Sequence, residues 1–274
     1  MIVKDYEIIS NIKVFHSDID ENYEDYNEKH LSSLYAEEEK HFWFLARKNF
    51  ILEKMKKYVG TKSKIIELGA GTGNVSRFLI ENGYLKLSVG EIHLNGLRYA
   101  ISYGIKDCYQ FDLLRTPFKD EFDAVCMFDV LEHIENDSLA LQNINAMLKK
   151  NGYIIISVPA HMWLWNREDR IAGHKRRYTK KSLHDLLIKN NFEIIEEKYF
   201  FIFITPLLFL RKILNPDRNE VLEASELNIN LSINKYINRI LFYINKLEAK
   251  LSKFLPNIFG GSIFVIARKR NDII

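Results

Sequence analysis

The chain has 274 residues, of which 47% are hydrophobic and 27% charged, as expected for a globular protein with a sizeable core. Its net charge of +3 is too small to predict a nucleic-acid partner, and we expect none. The first residues lack the apolar region of a signal peptide, and no apolar run reaches the ~20 residues that span a bilayer as a helix. The two cysteines, Cys108 and Cys126, lie in apolar contexts typical of reduced core residues, so we predict a cytoplasmic protein.

The segment of residues 1–60 is predicted to be an N-terminal helical cap. It is acidic and rich in tyrosine at first. A helical pattern then begins near residue 41, with Phe50, Ile51 and Met55 as its apolar positions. The aromatic cluster around Trp43 supplies more apolar surface than one face of a helix requires, which leaves side chains for a further contact.

A strand, a glycine-rich loop and a helix follow, and together they predict the first βα unit of a doubly wound sheet. The apolar strand ends in Glu67, and Gly69, Gly71 and Gly73 follow at every second position. Glycine lets the backbone approach a ligand closely, and the free N–H groups at the helix start favour negative charge. A dinucleotide fingerprint would place its last glycine where this chain has Asn74, so the pattern disfavours a nicotinamide-dependent oxidoreductase.

The acid and the alternating glycines, Glu67-x-Gly69-x-Gly71-x-Gly73, resemble the first motif of class I S-adenosylmethionine-dependent methyltransferases. The resemblance implies a Rossmann-like α/β fold of seven strands whose last pair is antiparallel. It also implies that S-adenosylmethionine is the cofactor and that these four residues bind it. The alternative is a glycine-rich turn without a ligand.

Two further acids fall where this family contacts the adenosine part of the cofactor. Glu91 ends the second predicted strand, ~20 residues beyond the glycine loop, where an acid can accept hydrogen bonds from ribose hydroxyls. Asp112 and Leu113 follow the third strand, where the family's acid contacts the adenine amino group. The alternatives are a surface acid for Glu91 and a turn-forming aspartate for Asp112.

The fourth predicted strand ends in the run D-V-L-E-H-I at residues 129–134. This run resembles the same segment of quinone-biosynthesis O-methyltransferases, in which the strand end meets the methionine part of the cofactor. The resemblance therefore assigns Asp129 and Val130 to cofactor binding.

The loop of residues 161–178 follows the fifth predicted strand and must border the substrate cleft, because ligands of open α/β sheets lie outside the carboxyl ends of the strands. If the acceptor is a hydroxyl, a general base must take its proton. His174, His133 and His161 are the candidates, since histidine titrates near neutral pH. His174 ranks first because it follows a glycine in this loop, although each histidine could instead have a structural or acceptor-contact role. Asp169 and His174 share this loop, which leaves an Asp/Glu/His metal site as the alternative, but their spacing is not a recognised metal signature and we predict no metal.

The G-H-x-R-R-Y run at residues 173–178 resembles a branch of methyltransferases assigned to cell-envelope or polysaccharide contexts. Arg176 and Tyr178 in this run are predicted to bind the acceptor. Trp43 and Arg47 join them, because in many methyltransferases an N-terminal helical segment lies over the cofactor or substrate; the alternative is a helix merely packed on the sheet, with Arg47 solvated. The basic residues of the loop suggest an anionic acceptor; the alternative is a solvated basic surface that pairs with the acidic N-terminal segment.

Residues 200–258 are predicted to form a helical insertion before the last strand. The methyltransferase domain would then comprise residues 61–199 and 259–270. The apolar run at residues 199–210, broken by Pro206, suggests peripheral contact with the inner face of a membrane or a homodimer interface through the insertion; the alternative is ordinary core.

The predicted function is S-adenosylmethionine-dependent methyl transfer, most simply to an oxygen of a small-molecule or lipid-linked acceptor that the basic loop suggests is anionic. The alternative is a non-catalytic protein that keeps the methyltransferase fold for cofactor sensing or protein interaction.

Overall fold

The structure, a computed structural model, describes residues 5–19, 28–217, 233–252 and 254–270. Its strands are β1 (Glu7–Ile9), β2 (Ile12–Val14), β3 (Ile65–Leu68), β4 (Leu87–Glu91), β5 (Cys108–Gln110), β6 (Phe122–Phe128), β7 (Leu148–Pro159), β8 (Phe192–Phe200) and β9 (Ser262–Lys269). Its helices are α1 (Glu28–Glu37), α2 (Phe42–Tyr58), α3 (Asn74–Glu81), α4 (Leu94–Ser102), α5 (Asp137–Met147), α6 (Arg167–Ile171), α7 (Lys180–Lys189), α8 (Thr205–Leu214) and α9 (Lys235–Leu251).

The strands form one sheet in the order β1-β2-β5-β4-β3-β6-β7-β9-β8. Strands β3 to β7 are mutually parallel, whereas β9 lies antiparallel between β7 and β8. The predicted doubly wound sheet with an antiparallel final pair is therefore confirmed, and the seven expected strands are β3 to β9.

The strand count of seven was wrong, because the sheet has nine strands. The extra two form a hairpin, in which β1 pairs antiparallel with β2 and β2 pairs parallel with β5. Its two-residue turn has positive φ at Ser10 (49°) and Asn11 (65°). Each strand has only three residues, too few to show a clear alternation, so part of the segment expected to be helical extends the sheet instead.

Both faces of the sheet are covered, which explains why β3 is apolar at nearly every position. Ile65 packs on one face in a cluster with Ile51 and Leu79, and the next residue, Ile66, packs on the other face with Leu141. Free Cys108 and Cys126 are buried within these layers, as predicted.

The insertion before β9 contributes α8 and α9 around the carboxyl ends of the strands. Helix α9 packs on α2, where the side chain of Asn238 accepts a 2.7 Å hydrogen bond from the backbone N–H of Phe42. Helix α8 contacts the short 3₁₀ turn Met162–Leu164. No helix in the described parts of the chain is both long enough and apolar enough to cross a membrane.

Candidate functional site

A cavity of about 580 Å³ opens at the carboxyl ends of β3 and β6. The glycine loop forms its floor, helices α2 and α8 form two walls, and the loop after β7 closes the far side. Its lining includes residues that the sequence predicted as site residues and others that it did not: Glu38, Trp43, Arg47, Glu67, Gly69, Gly71, Thr72, Asp129, Glu132, His133, Asp169, His174 and Arg177.

The glycines of the loop have distinct structural roles. Gly69 has a φ of +62°, and a Cβ built on it would lie 2.5 Å from Val130 Cγ2. Gly73 has a φ of +82°, and its Cβ would lie 2.9 Å from that of Ala100. Gly69 and Gly73 thus need glycine for packing and backbone conformation, and Gly69 and Gly71 both line the cavity. Val130 packs on Gly69 and is absent from the cavity lining, so its predicted cofactor contact stays a prediction.

Glu91 fastens the glycine loop to the end of β4. Its Oε2 accepts a 3.0 Å hydrogen bond from the N–H of Gly71, and its Oε1 accepts one of 2.7 Å from the N–H of Ile92. Burial raises the pKa of this carboxyl. The structure therefore places Glu91 directly behind the loop, and its binding of ribose stays a prediction.

Asp112 and Leu113 lie outside the cavity lining. The Asp112 side chain accepts a 2.8 Å hydrogen bond from the N–H of Leu114 and so caps the 3₁₀ turn Leu113–Arg115. This is the turn-forming role that the sequence left as the alternative, and the adenine contact stays a prediction.

Two buried acids border the cavity, and burial is the main cause that raises the pKa of each to about 7. Glu67 accepts a short hydrogen bond from the hydroxyl of Ser76, and Glu38 accepts one from the hydroxyl of Thr72. Both carboxyls are therefore only partly ionised near neutral pH, and a cation that enters the cavity would favour their charged forms.

Arg47 and Asp129 form an ion pair that links α2 to the end of β6. Asp129 has a φ of +58° and accepts a 3.1 Å hydrogen bond from the hydroxyl of Ser157. Trp43, one turn before Arg47, stacks on Phe201 with ring centroids 3.9 Å apart. Both residues predicted on α2 thus reach the cavity.

His174 and His133 meet at the far wall, with their rings edge to face and their centroids 4.7 Å apart. His174 Nδ1 lies 2.8 Å from Asp169 Oδ1. Burial opposes ionisation of Asp169, but the His174 hydrogen bond and the Arg177 guanidinium outweigh it and lower the pKa of this carboxyl. Arg177 donates to both Asp169 oxygens, at 2.8 and 2.9 Å.

Glu132 lies against this pair of histidines and is fully buried. Among the described residues, neither of its carboxylate oxygens has a hydrogen-bond partner. Burial, reinforced by nearby Asp129, raises the pKa of Glu132 well above its ordinary value. His174 Nε2 lies 3.8 Å from Glu132 Oε1.

Glu132, His133 and His174 each offer one ligand atom, and these atoms lie within 4.8 Å of one another. A carboxylate with two imidazoles is a donor set that suits Zn²⁺ and similar divalent cations. The sequence predicted no metal, and this geometry leaves that prediction open to test.

Three residues predicted on the acceptor side also lie outside the cavity lining. His161 stacks between Trp163 and Tyr199, with centroid distances of 5.3 and 5.0 Å. Arg176 and Tyr178 both donate to Asp137 at 2.9 Å, which ties the loop to the start of α5. Their arrangement is that of structural residues, so a catalytic or acceptor-binding role for them is not favoured by the geometry.

The sequence missed Glu38 and Glu132 as site residues, and it considered Asp169 only as a metal ligand together with His174. Glu132 directly precedes His133 in the motif at the end of β6, and that adjacency was an available signal. Asp169 lies five residues before His174, and only the turn at the end of α6 brings the two together. Glu38 stands in an acidic run, and nothing in its spacing distinguishes it from its exposed neighbours.

The methyltransferase domain family matches residues 14–197. A ubiquinone biosynthesis O-methyltransferase of Rickettsia bellii is 29% identical over 117 residues, 40% of this chain and 49% of that protein. A ubiquinone biosynthesis O-methyltransferase of Rickettsia typhi is 24% identical over 223 residues, 73% of this chain and 85% of that protein. The chain thus spans about half the length of the Rickettsia bellii relative.

Among solved structures, an S-adenosylmethionine-dependent methyltransferase of Thermotoga maritima is similar, with a TM-score of 0.54 and 17% identity, and the match covers 89% of this chain and all of that one. At this identity the likeness shows the fold alone.

Proposed function

The chain belongs to the methyltransferase domain family, and from this premise we propose that it transfers the methyl group of S-adenosylmethionine to an oxygen of a small-molecule or lipid-linked acceptor. S-adenosylmethionine is the cofactor, and it supplies the activated methyl group. The protein has to bind and orient the two reactants, exclude water and accept a proton.

The cavity residues fit a cofactor that carries positive charge. Glu38 and Glu67 are buried acids whose raised pKa values show that their charged forms lack sufficient compensation within the protein. A sulfonium or an ammonium group near them would supply it. Gly71, at the start of the loop that opens α3, lets the backbone come close to the ligand.

The proposal of oxygen as the acceptor atom rests on one observation, the contact between His174 and Asp169. This contact makes His174 the residue best placed to take a proton from an acceptor hydroxyl. Asp169 remains ionised, and its Oδ1 lies 2.8 Å from His174 Nδ1. Because an ionised carboxylate can only accept, Nδ1 carries the hydrogen and donates it to Asp169, and Nε2 is the ring nitrogen that can accept a proton from the acceptor hydroxyl. The glycine loop and His174 line the same cavity, as a transfer between them requires.

The reacting end of the acceptor is proposed to be neutral, because three arginines of the loop already lie in ion pairs. Arg177 binds Asp169, Arg176 binds Asp137 at 2.9 Å, and Arg170 lies 2.9 Å from Asp217. An anion would have to compete with these contacts and would also meet the acids of the cavity.

The remaining wall of the cavity is apolar and suits a hydrophobic body on the acceptor. It is formed by Ile204, Leu207 and Leu208 of the α8 region together with Leu241 of α9. The curated relatives are named ubiquinone biosynthesis O-methyltransferases, so hydroxylated aromatic compounds with apolar tails are the acceptors to test first.

The test compares His174→Gln with His184→Gln, a matched control on the outer face of α7 whose side chain is 45% exposed. Release of S-adenosylhomocysteine is measured with hydroxylated aromatic acceptors and lipid extracts, and cofactor affinity is measured by calorimetry. We expect His174→Gln to lower turnover by about 100-fold or more, with cofactor affinity nearly unchanged. The control should keep both.

Other outcomes would contradict parts of this proposal. An equal loss of cofactor affinity in His174→Gln would place His174 in the cofactor site. Turnover that is lost with EDTA and restored by an added divalent cation would assign Glu132, His133 and His174 to a metal rather than to proton transfer. Tight binding of S-adenosylmethionine without turnover on any acceptor class would favour the non-catalytic alternative.

A further inference from the structure

Helices α8 and α9 expose large apolar side chains on the outside of the molecule. On α8 these are Leu207, Phe209, Leu210, Ile213 and Leu214, and on α9 they are Tyr236, Ile237, Ile240, Tyr243, Leu247 and Leu251. Phe254 and Ile258 in the following segment are 84% and 70% exposed. Single exposed apolar residues are ordinary, but a concentration of this kind on neighbouring elements is typical of an interaction surface.

The exposed apolar residues of α9 follow the period of the helix. Tyr236, Ile240, Tyr243 and Leu247 succeed one another at intervals of three or four residues, which places them in one stripe. The opposite face contacts the protein through buried Leu241, which lines the cavity. Helix α9 therefore contacts the protein through one face and exposes an apolar stripe on the other.

The charges beside this stripe have a single sign. Lys235, Arg239, Lys246 and Lys250 are all exposed on α9. The acid of this helix, Glu248, is buried and accepts a 2.8 Å hydrogen bond from the N–H of Phe203. An apolar stripe flanked by cations is the pattern of a helix that lies in the interface of a bilayer with anionic lipids.

We propose that α8 and α9 form a docking surface for an anionic lipid bilayer. The charges favour this occupant over a second copy of the chain. In a symmetric dimer the same face meets itself, so the cations of one α9 would face those of the other. Anionic head groups would instead neutralise the cations while the side chains of Ile240 and Leu247 enter the acyl boundary.

This surface is continuous with the cavity. Leu207 is 48% exposed on the outside and also lines the cavity, and Leu208 next to it lines the same wall. A bilayer bound here would lie at the cavity mouth, and a membrane-dissolved acceptor could reach His174 without leaving the lipid. That last step rests on the proposed function, whereas the docking surface itself does not.

Vesicle flotation without any acceptor tests the docking surface separately from catalysis. The vesicles contain phosphatidylcholine alone or phosphatidylcholine with phosphatidylglycerol. Lys235→Glu with Arg239→Glu is compared with a matched control, Lys62→Glu with Lys86→Glu, which changes the net charge equally at exposed residues just before β3 and β4. We expect binding to the anionic vesicles that falls about thirtyfold in the α9 variant and is unchanged in the control.

A second pair of variants tests the apolar stripe. Ile240→Asp with Leu247→Asp should also abolish flotation, whereas Leu85→Asp, at a residue 77% exposed before β4, should not. Circular dichroism melts and cofactor affinity establish that each variant is folded. The proposal is overturned by a wild-type protein that does not float with anionic vesicles at low salt, or by binding that both α9 variants retain. A dimer in light scattering that Ile240→Asp with Leu247→Asp dissociates would assign the stripe to a second copy instead.

Discussion

The substitution Glu67→Gln should stabilise the free protein at alkaline pH. Glu67 is 3% exposed, and burial is the main cause that raises its pKa from 4.5 to about 7. The folded protein therefore holds this proton over a pH range in which the unfolded chain has lost it. The stability from the protonated carboxyl is fully present below pH 4.5 and is lost as the pH rises through about 7. The total loss is about 3 kcal/mol, since one pKa unit corresponds to about 1.4 kcal/mol.

Glutamine keeps the shape of the side chain and an oxygen that can accept a hydrogen bond from the Ser76 hydroxyl, but it carries no charge at any pH. The difference in unfolding free energy between Glu67→Gln and wild type should therefore change in favour of the variant by about 2.5 kcal/mol between about pH 5 and pH 8. Urea denaturation at several pH values, without cofactor, measures this difference. Glu53→Gln on the exposed face of α2 is the control and should show a difference that does not vary with pH.

The same substitution should weaken the binding of S-adenosylmethionine at pH 8, because it removes a negative charge from a cavity that we propose receives a cation. S-adenosylhomocysteine, which lacks the sulfonium charge, should be affected less. A stability difference that stays constant with pH would show that the Glu67 pKa is not raised. Equal losses for the two ligands would show that Glu67 does not sense the charge on sulfur.

Two further predictions concern residues that line the cavity, and a third concerns the ion pair between Lys54 and Glu196. Gly71→Val should abolish cofactor binding in a protein that still melts cooperatively, because a branched side chain would project from a backbone with a φ of +55° at the cavity floor; calorimetry measures it, and retained affinity would contradict the placement. Trp43→Ala should destabilise the fold by about 2 kcal/mol through loss of the stack on Phe201 and should raise the acceptor KM more than the cofactor Kd. Lys54→Met should lower the free energy of unfolding by about 2 kcal/mol at neutral pH, because the Lys54 side chain lies 2.8 Å from the Glu196 carboxylate and both side chains are mostly buried. This difference should shrink as the pH falls toward the lowered Glu196 pKa of about 2, and urea denaturation at several pH values measures it.

The parts of the fold that the sequence predicted are those with strong local patterns. The first βα unit follows from an apolar run, alternating glycines and a helical spacing at Val75, Phe78 and Leu79, and the structure has β3, the loop and α3 in that order. The β1–β2 hairpin was missed because three-residue strands carry almost no periodicity. Its pairing with β5 depends on residues 96 positions apart in the chain, such as Ile12 and Cys108, which no local pattern encodes.

The site was only partly predictable, because a residue type in a cleft-bordering loop does not specify its partner. Arg176 and Tyr178 looked like acceptor ligands beside His174, yet both turn to Asp137. Asp169 was considered as a metal ligand beside His174, yet its carboxylate binds both His174 and Arg177. The sequence identifies which groups lie near the strand ends, and tertiary packing decides which of them pair with one another and which stay available to a ligand.

The buried acids also bear on how the two forms of the cofactor are distinguished. If the sulfonium of the cofactor lies in the cavity as we propose, its positive charge would compensate the ionised forms of Glu38 and Glu67, and that compensation would be lost once methyl transfer leaves a neutral thioether. Near neutral pH the acids can then take up protons, since burial raises their pKa values to about 7. The substrate form of the cofactor should therefore gain affinity over the product form as the pH rises through this range. The buried acids that lower the stability of the free protein at alkaline pH would therefore also favour release of S-adenosylhomocysteine after methyl transfer.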